Sequence, residues 1–310
     1  MKSRLELFIA LGGIIIAFLA WVHPFHPVGP PPFQLAEAPE GDRAASPQSS
    51  PRMNAQRESQ AEIPTAPSGI GNQSVTVPSR SYSEPLTGIE FLWVPEGCFE
   101  MGCGTWTANC DNDEIPVHTV CVEGFWMGRT EVTQGQWKTI MEAQPPVFLG
   151  EKYPVEWVSW YEAQEFLKRL NEHNNGSATF RLPTEAEWEY ACRSGGKPEQ
   201  YAGSSNVSQV AWYRSNSSDA LHPVGSKNPN GLGLYDMSGN VAEWCADAYD
   251  HDAFRKHPRD NPVYNVGASK IVRGGGFGFS ARGVRCGNRY NDFDPGTGYG
   301  SVGFRIVRKP

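Results

Sequence analysis

The stretch that decides the fold is residues 231–245, with the sequence GLGLYDMSGNVAEWC. It combines apolar anchors and glycines with two carboxylates, Asp236 and Glu243, which flank a Ser-Gly-Asn turn at 238–240. A tight turn between two carboxylates can collect oxygen ligands for a hard cation, with backbone carbonyls filling the remaining positions. It can equally be a turn whose Asp and Glu cap nearby amides above an ordinary apolar core. Spacing alone favours this second interpretation.

Two further segments of the sequence carry recognisable motifs. One is FRLPTEAEWEYAC at 180–192, and the other is RGGGF at 273–277, which is followed by Arg285, Arg289 and a GFR triplet at 303–305. Together with GLYDMSGNVAEW they resemble the most diagnostic motifs of the formylglycine-generating enzyme (sulfatase-modifying factor) family, in the family's order. The likeness runs from about residue 91 to residue 307. It implies an α+β, loop-rich domain with short helices and strands, a duplicated and modified C-type-lectin-like fold.

The composition fits an irregular chain. Its 310 residues include 33 Gly, 25 Pro, 10 Trp and 11 Tyr, so we expect aromatic packing rather than long helices to hold the core. The formal net charge is −7, which predicts no nucleic-acid partner.

The N-terminal third does not have the pattern of a globular domain. Residues 1–22 carry Lys2 and Arg4 before an apolar run, which predicts a membrane anchor or, as the alternative, a cleaved signal segment. Residues 23–85 are rich in Pro and Ser and predict a disordered linker. Residues 86–310 remain for one sulfatase-modifying-factor-like domain. We therefore expect an extracytoplasmic protein, periplasmic or at the cell surface, anchored to the membrane or secreted.

Local patterns predict the elements of this domain. Alternating apolar residues predict strands at 89–94, 98–101 and 117–122. Capping boxes that begin at Thr133, Ser159 and Thr184 predict three short helices. The polar loop at 102–114 contains Asp111, Asp113 and Glu114, and we expect a solvated turn there because it lacks the later glycine and glutamate of a calcium helix-loop-helix.

The seven cysteines predict disulfide bonds in an exported chain, with one thiol left over. Cys98 and Cys121 lie in adjacent predicted strands, and Cys103 and Cys110 could close the polar loop. The alternative for these four is a zinc site, although they lack short CxxC pairs.

The family resemblance supplies the third bond. Cys192 matches a cysteine that is bridged in the family, and its partner there follows the GFR triplet, where this chain has Ile306. We therefore pair Cys192 with Cys286, which leaves Cys245 as a buried, unpaired thiol.

The resemblance also implies a chemistry, the copper- and O2-dependent oxidation of a cysteine in a client sulfatase to formylglycine. Two thiolates bind Cu(I) there. The matching run at 274–284 contains no cysteine: Phe279 stands at the first position and Val284, or its neighbour Gly283, at the second. We therefore expect no copper and assign no catalytic residue.

The family's cation site is retained more fully. The resemblance assigns a structural Ca²⁺ to the side chains of Asp236 and Glu243 and to the backbone carbonyls of Gly239 and Val241. It favours the cation interpretation of the turn.

The C-terminal arginines complete the pattern. They could form a pocket floor for an anionic or peptide ligand, but we favour internal hydrogen bonds to carbonyls and to Glu185, Glu187 or Glu243, because the guanidinium group carries five donors. These arginines are Arg273, Arg285, Arg289 and Arg305.

The sequence thus predicts a binding or accessory module for a peptide, protein or glycan client, with a groove near residues 276–289. The alternative is an O2-dependent oxidoreductase of the formylglycine-generating type, acting in protein-cysteine oxidation or a related oxidative maturation.

Overall fold

The computed structural model describes residues 81–107 and 109–309. The predicted anchor at 1–22 and nearly all of the predicted linker lie outside these residues. No helix within the described ranges is both long enough and apolar enough to cross a bilayer. The first strand covers Ser81–Ser83 and pairs with the second, so the domain begins earlier than the predicted boundary at 86.

Short strands and helices alternate along the domain, as the resemblance implies. The strands are β1 Ser81–Ser83, β2 Glu90–Val94, β3 Gly97–Met101, β4 His118–Val122, β5 Phe125–Gly128, β6 Phe180–Arg181, β7 Ala211–Trp212, β8 Ser238–Gly239, β9 Ala242–Ala248, β10 Lys270–Arg273, β11 Tyr290–Phe293, β12 Val302–Gly303 and β13 Val307–Arg308. The helices are α1 Gln134–Met141, α2 Trp160–His173, α3 Glu185–Cys192, α4 Val207–Val210 and α5 Ala253–Lys256, with 3-10 turns at Asn112–Glu114 and Arg282–Val284.

The three predicted capping boxes are confirmed. Thr133, Ser159 and Thr184 each accept a hydrogen bond from the backbone N–H three residues on, and the side chain at that third position accepts one from the cap's own N–H. This reciprocal bonding satisfies two amides that a helix start otherwise leaves unpaired. The predicted strands near 89–94, 98–101 and 117–122 are also present.

Two main sheets organise the chain. One has the strand order β1-β2-β5-β13-β6, and the other has the order β11-β10-β9-β12, in which β12 runs parallel to β9. Successive side chains of β9 point to opposite faces: Trp244 belongs to one apolar cluster and Cys245 to another. Ile271 and Val272 of β10 divide in the same way. The second sheet is therefore buried on both faces.

All three predicted disulfide bonds are present. Cys98 and Cys121 lie opposite each other on β3 and β4 and are bonded. Their bond, and a second one that closes the 103–110 loop, exclude the zinc alternative for these four sulfurs. The third joins Cys192 at the end of α3 to Cys286, and Cys245 is the buried free thiol.

The polar loop at 102–114 differs from the prediction of a solvated turn. Asp113 and Glu114 are buried. Arg285 donates to both oxygens of Glu114, at 2.8 and 2.5 Å. The loop is drawn inward because this carboxylate neutralises an arginine that comes 171 positions later.

Candidate functional site

The turn within the 231–245 stretch is held in unusual backbone conformations. Asp236, Gly239 and Asn240 have φ of 56°, 85° and 60°, in the left-handed region that Gly adopts freely and that Asp and Asn tolerate better than other residues. A Cβ at Gly239 would lie 2.2 Å from the carbonyl oxygen of Trp212 on β7. The close approach of β7 and β8 therefore requires glycine at this position.

The turn brings Asp236 against a carboxylate from another part of the chain, Glu131. Both are almost fully buried, at 2% and 1% exposure. One oxygen of Asp236 accepts the Gly225 N–H at 2.7 Å. Its Oδ1 and both oxygens of Glu131 have no donor from any other described residue, although the two carboxyl groups lie within hydrogen-bonding reach of each other. Buried polar atoms are nearly always paired, so three orphaned oxygens at one place indicate a missing partner.

The electrostatics of this pair agree with its geometry. Burial raises the pKa of Asp236 to about 6. Burial also raises the pKa of Glu131 well above its usual range, and the neighbouring Asp236 carboxylate raises it further. Two carboxylates in an apolar interior repel each other, and a proton or a bound cation relieves that repulsion.

Glu243, the second predicted side-chain ligand, lies near the pair, but its oxygens already accept hydrogen bonds from other side chains. Arg305 donates to its two oxygens at 2.6 and 2.7 Å, and the indole N–H of Trp188 donates at 2.7 Å. Among residues 81–107 and 109–309, no group of three or more His, Cys, Asp or Glu side chains is placed to hold a metal ion. A cation at the turn would therefore be held by Glu131, Asp236 and backbone carbonyls.

These donors fit a hard cation, because Ca²⁺ takes carboxylate and carbonyl oxygens. Of the predicted ligands, Gly239 and Val241 lie in the same turn as Asp236. Sequence reasoning missed Glu131, which lies two residues before the Thr133 helix cap. Its one sequence signal is an acidic side chain flanked by Thr130 and Val132 in a segment that leads into a helix.

The four arginines confirm the predicted internal bonding. Arg273 donates to Glu185 at 3.0 Å and to Glu189 at 2.6 Å. Arg289 forms two further bonds to Glu185, at 2.7 and 3.0 Å. Both arginines also donate to backbone carbonyls.

The structure corrects the partner assignment in three places, the first of which is the Arg285–Glu114 pair described above. Glu187, a predicted partner of these four arginines, instead forms a bidentate pair with Arg181, at 2.7 and 2.6 Å. Glu189 takes its place beside Arg273. Because Arg273, Arg289 and Arg305 are at most 5% exposed, they stabilise the interior and do not form a pocket floor.

The positions that resemble the copper ligands lie at the edge of a third apolar cluster. Val284 is buried with Tyr201, Val210, Ala211 and Tyr213, and Phe279 packs against this cluster. The ring of Phe279 meets that of Tyr290 edge-on, with centroids 5.0 Å apart. Packed aromatic and aliphatic side chains fill this region.

The fold and the buried turn define a loop-rich α+β domain of the formylglycine-generating-enzyme type, with a modified C-type-lectin-like architecture. The chain belongs to the family described as "Sulfatase-modifying factor enzyme 1-like domain", whose model matches residues 78–310.

The chain is similar to several individual proteins that carry different names. The chain is 35% identical over 182 residues to chaperone protein LppX of Paenibacillus barcinonensis, covering 43% of this chain and 65% of that protein. It is 30% identical over 196 residues to the formylglycine-generating enzyme of Streptomyces coelicolor, covering 57% and 59%. The alignments thus span less than two thirds of either relative. Treponema denticola variable protein 1 shares the fold with a TM-score of 0.62 and 29% identity, covering 76% of this chain and all of that one.

Proposed function

We propose that the domain is a binding or accessory module for a peptide, protein or glycan client, without copper–cysteine chemistry. The observation that carries this proposal is the state of the seven cysteines, all of which lie in the described ranges. Six are in disulfide bonds and Cys245 is buried. Burial raises the pKa of the Cys245 thiol well above its usual range. A Cu(I) site of two thiolates needs a facing pair of reactive sulfurs.

The proposed client surface is the accessible part of the 276–289 strip, residues 277–283, because residues 284–289 are buried. Two contacts with the interior fix its position. The Tyr290 hydroxyl donates to the Gly283 carbonyl at 2.6 Å, and Arg285 forms an ion pair with Glu114. Arg282 forms an ion pair with Asp111, which directly follows the disulfide-closed loop at 103–110. A rigid frame that presents a loop surface suits recognition. The similarity to a protein named as a chaperone supports an accessory role.

A gain-of-function variant tests the loss of copper binding directly. We expect Phe279→Cys combined with Val284→Cys to bind one equivalent of Cu(I), whereas either single variant binds none tightly, because two-coordinate Cu(I) needs both thiolates. Val284 is the better second position, since a Cβ at Gly283 would lie 2.5 Å from the Tyr290 hydroxyl oxygen. Competition with a chromophoric Cu(I) chelator measures the affinity. Tight Cu(I) binding by the unmodified domain would contradict the proposal.

Client recognition is tested with peptide and glycan arrays. The unmodified domain should select a defined set of probes. Binding should fall for Arg282→Ala and Ser280→Arg in the strip but not for Tyr161→Ala, an exposed residue outside it. Oxygen consumption in the presence of a Cys-x-Pro-x-Arg peptide tests the oxidoreductase alternative, and sustained turnover there would overturn the accessory role.

We also propose a structural Ca²⁺ at the turn, bound by Asp236, Glu131 and the carbonyls of Gly239 and Val241. Glu243 contributes indirectly, because it binds Arg305 beside this site. The orphaned oxygens of Glu131 and Asp236 support this proposal. Elemental analysis of the domain purified without chelator should give about one calcium per chain. A chain that neither retains calcium nor binds it in a calorimetric titration would contradict it.

The location is likewise proposed: outside the cytoplasm, at the membrane through residues 1–22 or secreted. Three disulfide bonds support an oxidising compartment. Cell fractionation with protease protection tests it. Accumulation of the reduced protein inside the cytoplasm would exclude it.

A further inference from the structure

A polar cleft with a volume of about 320 Å³ lies on the surface near the turn and shares no residue with the 276–289 strip. Four chain segments form its walls: the start of β2, the segment that leads into α1, the loop around Gly225 and the loop around Tyr235. Its size is at the lower end for small-molecule sites, which suits a ligand of a few non-hydrogen atoms. The side chains that carry the argument are Glu90, Arg129, Thr133, Gln136 and Tyr235.

The cleft is preformed by backbone hydrogen bonds between its walls. The Arg129 N–H donates to the Glu90 carbonyl at 2.8 Å, and the Tyr235 N–H donates to the Arg129 carbonyl at 2.9 Å. The capping box of Thr133 and Gln136 fixes the segment that leads into α1. A ligand therefore does not have to order these segments on binding, which lowers the entropic cost of association.

The cleft holds one charge of each sign. Arg129 and Glu90 form an ion pair at 2.6 Å with side chains 41% and 54% exposed. The guanidinium lies over the ring of Tyr235, 5.0 Å from its centroid, and donates to its hydroxyl at 3.4 Å. An ion pair this exposed contributes little to stability in water, so a ligand can open it at small cost.

We propose that this cleft binds the zwitterionic head group of an α-amino acid, free or at the end of a small molecule. Its carboxylate pairs with Arg129, whose planar donors match a carboxylate, and its ammonium group pairs with Glu90. Gln136 uses its amide oxygen to accept the Thr133 N–H at 2.9 Å, so its NH2 group is the end that can donate to the ligand. The Tyr235 hydroxyl adds a further polar contact.

Charge balance separates this ligand from simpler ones. A lone anion on Arg129 would leave Glu90 unpaired beside it, and a lone cation on Glu90 would leave Arg129 unpaired. A zwitterion replaces the Arg129–Glu90 ion pair with two new ion pairs, one to each side chain, so neither side chain is left unpaired. The surrounding hydroxyl and amide groups then fix its orientation.

The first test is calorimetric titration of the purified chain with L-serine and L-glutamine. We expect saturable binding with Kd of about 0.1–1 mM. The N-acetyl and the methyl-ester forms of the same amino acids should each bind at least about tenfold more weakly, because each lacks one charge. Equal binding of the N-acetyl form would reveal a simple anion site and overturn the proposal. No binding of either amino acid at about 10 mM would overturn it as well.

The second test uses variants of the ion pair. Arg129→Gln and Glu90→Gln should each weaken binding of L-glutamine by about tenfold or more. The matched control is Arg169→Gln, which removes another exposed pair, that with Glu165 on α2, and should leave binding unchanged. If both cleft variants bind as the unmodified chain does, the ligand sits elsewhere and the assignment fails. None of these measurements depends on copper, calcium or the 276–289 strip.

Discussion

Two groups of buried carboxylates in this domain have opposite surroundings. Glu185 and Glu114 are each held by guanidinium groups at distances of 2.5–3.0 Å. Glu131 is buried as deeply, yet no described side chain other than that of Asp236 lies within hydrogen-bonding reach of its oxygens, and Asp236 has one oxygen bonded to a backbone N–H.

This difference separates carboxylates that stabilise the fold from carboxylates that are available to bind a ligand. A buried carboxylate with a complete set of donors needs nothing further, because the protein has replaced its hydration. A buried carboxylate without donors is destabilising unless a proton or a metal ion joins it. The carboxylates that pair with arginine therefore stabilise the fold, and the Glu131–Asp236 pair is the candidate binding site.

The largest effect should follow from breaking the paired group. Glu185→Gln removes the charge that Arg273 and Arg289 share, which leaves the buried Arg289 without its carboxylate and Arg273 with Glu189 alone. We expect a loss of about 3–5 kcal/mol in the free energy of unfolding, measured by urea denaturation. Glu165→Gln, which removes an exposed pair on α2, is the control and should change little. A similar small change for Glu185→Gln would refute the division drawn here.

The unpaired group should respond in the opposite way. Without calcium, Glu131→Gln should leave stability unchanged or raised, because it removes an unpaired buried charge. Calcium at a hundredfold excess over its Kd should stabilise the unmodified chain by about 3 kcal/mol and the variant far less, as monitored by thermal unfolding. Glu156→Gln is the matched control, a buried carboxylate bonded to the Ser301 N–H, and should keep the calcium response. An equal response in Glu131→Gln would remove this residue from the site.

A third prediction concerns His257, a half-buried base beside the paired group. Burial lowers its pKa to about 4; His118 and Arg289 act in the same direction, while Glu185 and Glu189 oppose them. Since the unfolded histidine titrates near 6.5, the unfolded state binds more protons between pH 6.5 and 4, and stability falls as the pH falls through that window.

The measurement is the free energy of unfolding at pH 7 and at pH 4, for the unmodified chain and for His257→Asn. Partial solvent screening reduces the expected difference in acid destabilisation to about 1–2 kcal/mol. Parallel pH profiles for the two proteins would show that His257 titrates normally.

The smallest effect on stability is expected at the cleft. Arg129→Gln breaks an exposed ion pair and should change the free energy of unfolding by less than about 1 kcal/mol, measured by urea denaturation. A loss comparable with that of Glu185→Gln would place Arg129 in the frame rather than at a ligand site.

Much of the local structure could be predicted from the sequence. The capping boxes at Thr133, Ser159 and Thr184 predict three helix starts correctly, because the signal lies within four residues. The pairing of Cys98 with Cys121 follows from two neighbouring strands. The Cys192–Cys286 bond needed the family resemblance, since its ends are 94 positions apart.

The partners of buried charges could not be predicted as well. Glu187 was expected beside one of the four C-terminal arginines but pairs with Arg181. Glu114 was expected in a solvated turn but neutralises Arg285. Which of several nearby carboxylates meets a given guanidinium depends on side-chain placements of a few ångströms, and no sequence pattern encodes them.

The sequence by itself determined the family, the α+β class and the helix starts, because motifs and residue types carry this information locally. Only the tertiary structure decided that Glu131 meets Asp236 with no arginine beside them to donate, while Glu243 accepts two hydrogen bonds from Arg305. The physical reason is that the cost of burying a charge depends on every group within a few ångströms. Folding brings those groups together from distant parts of the chain.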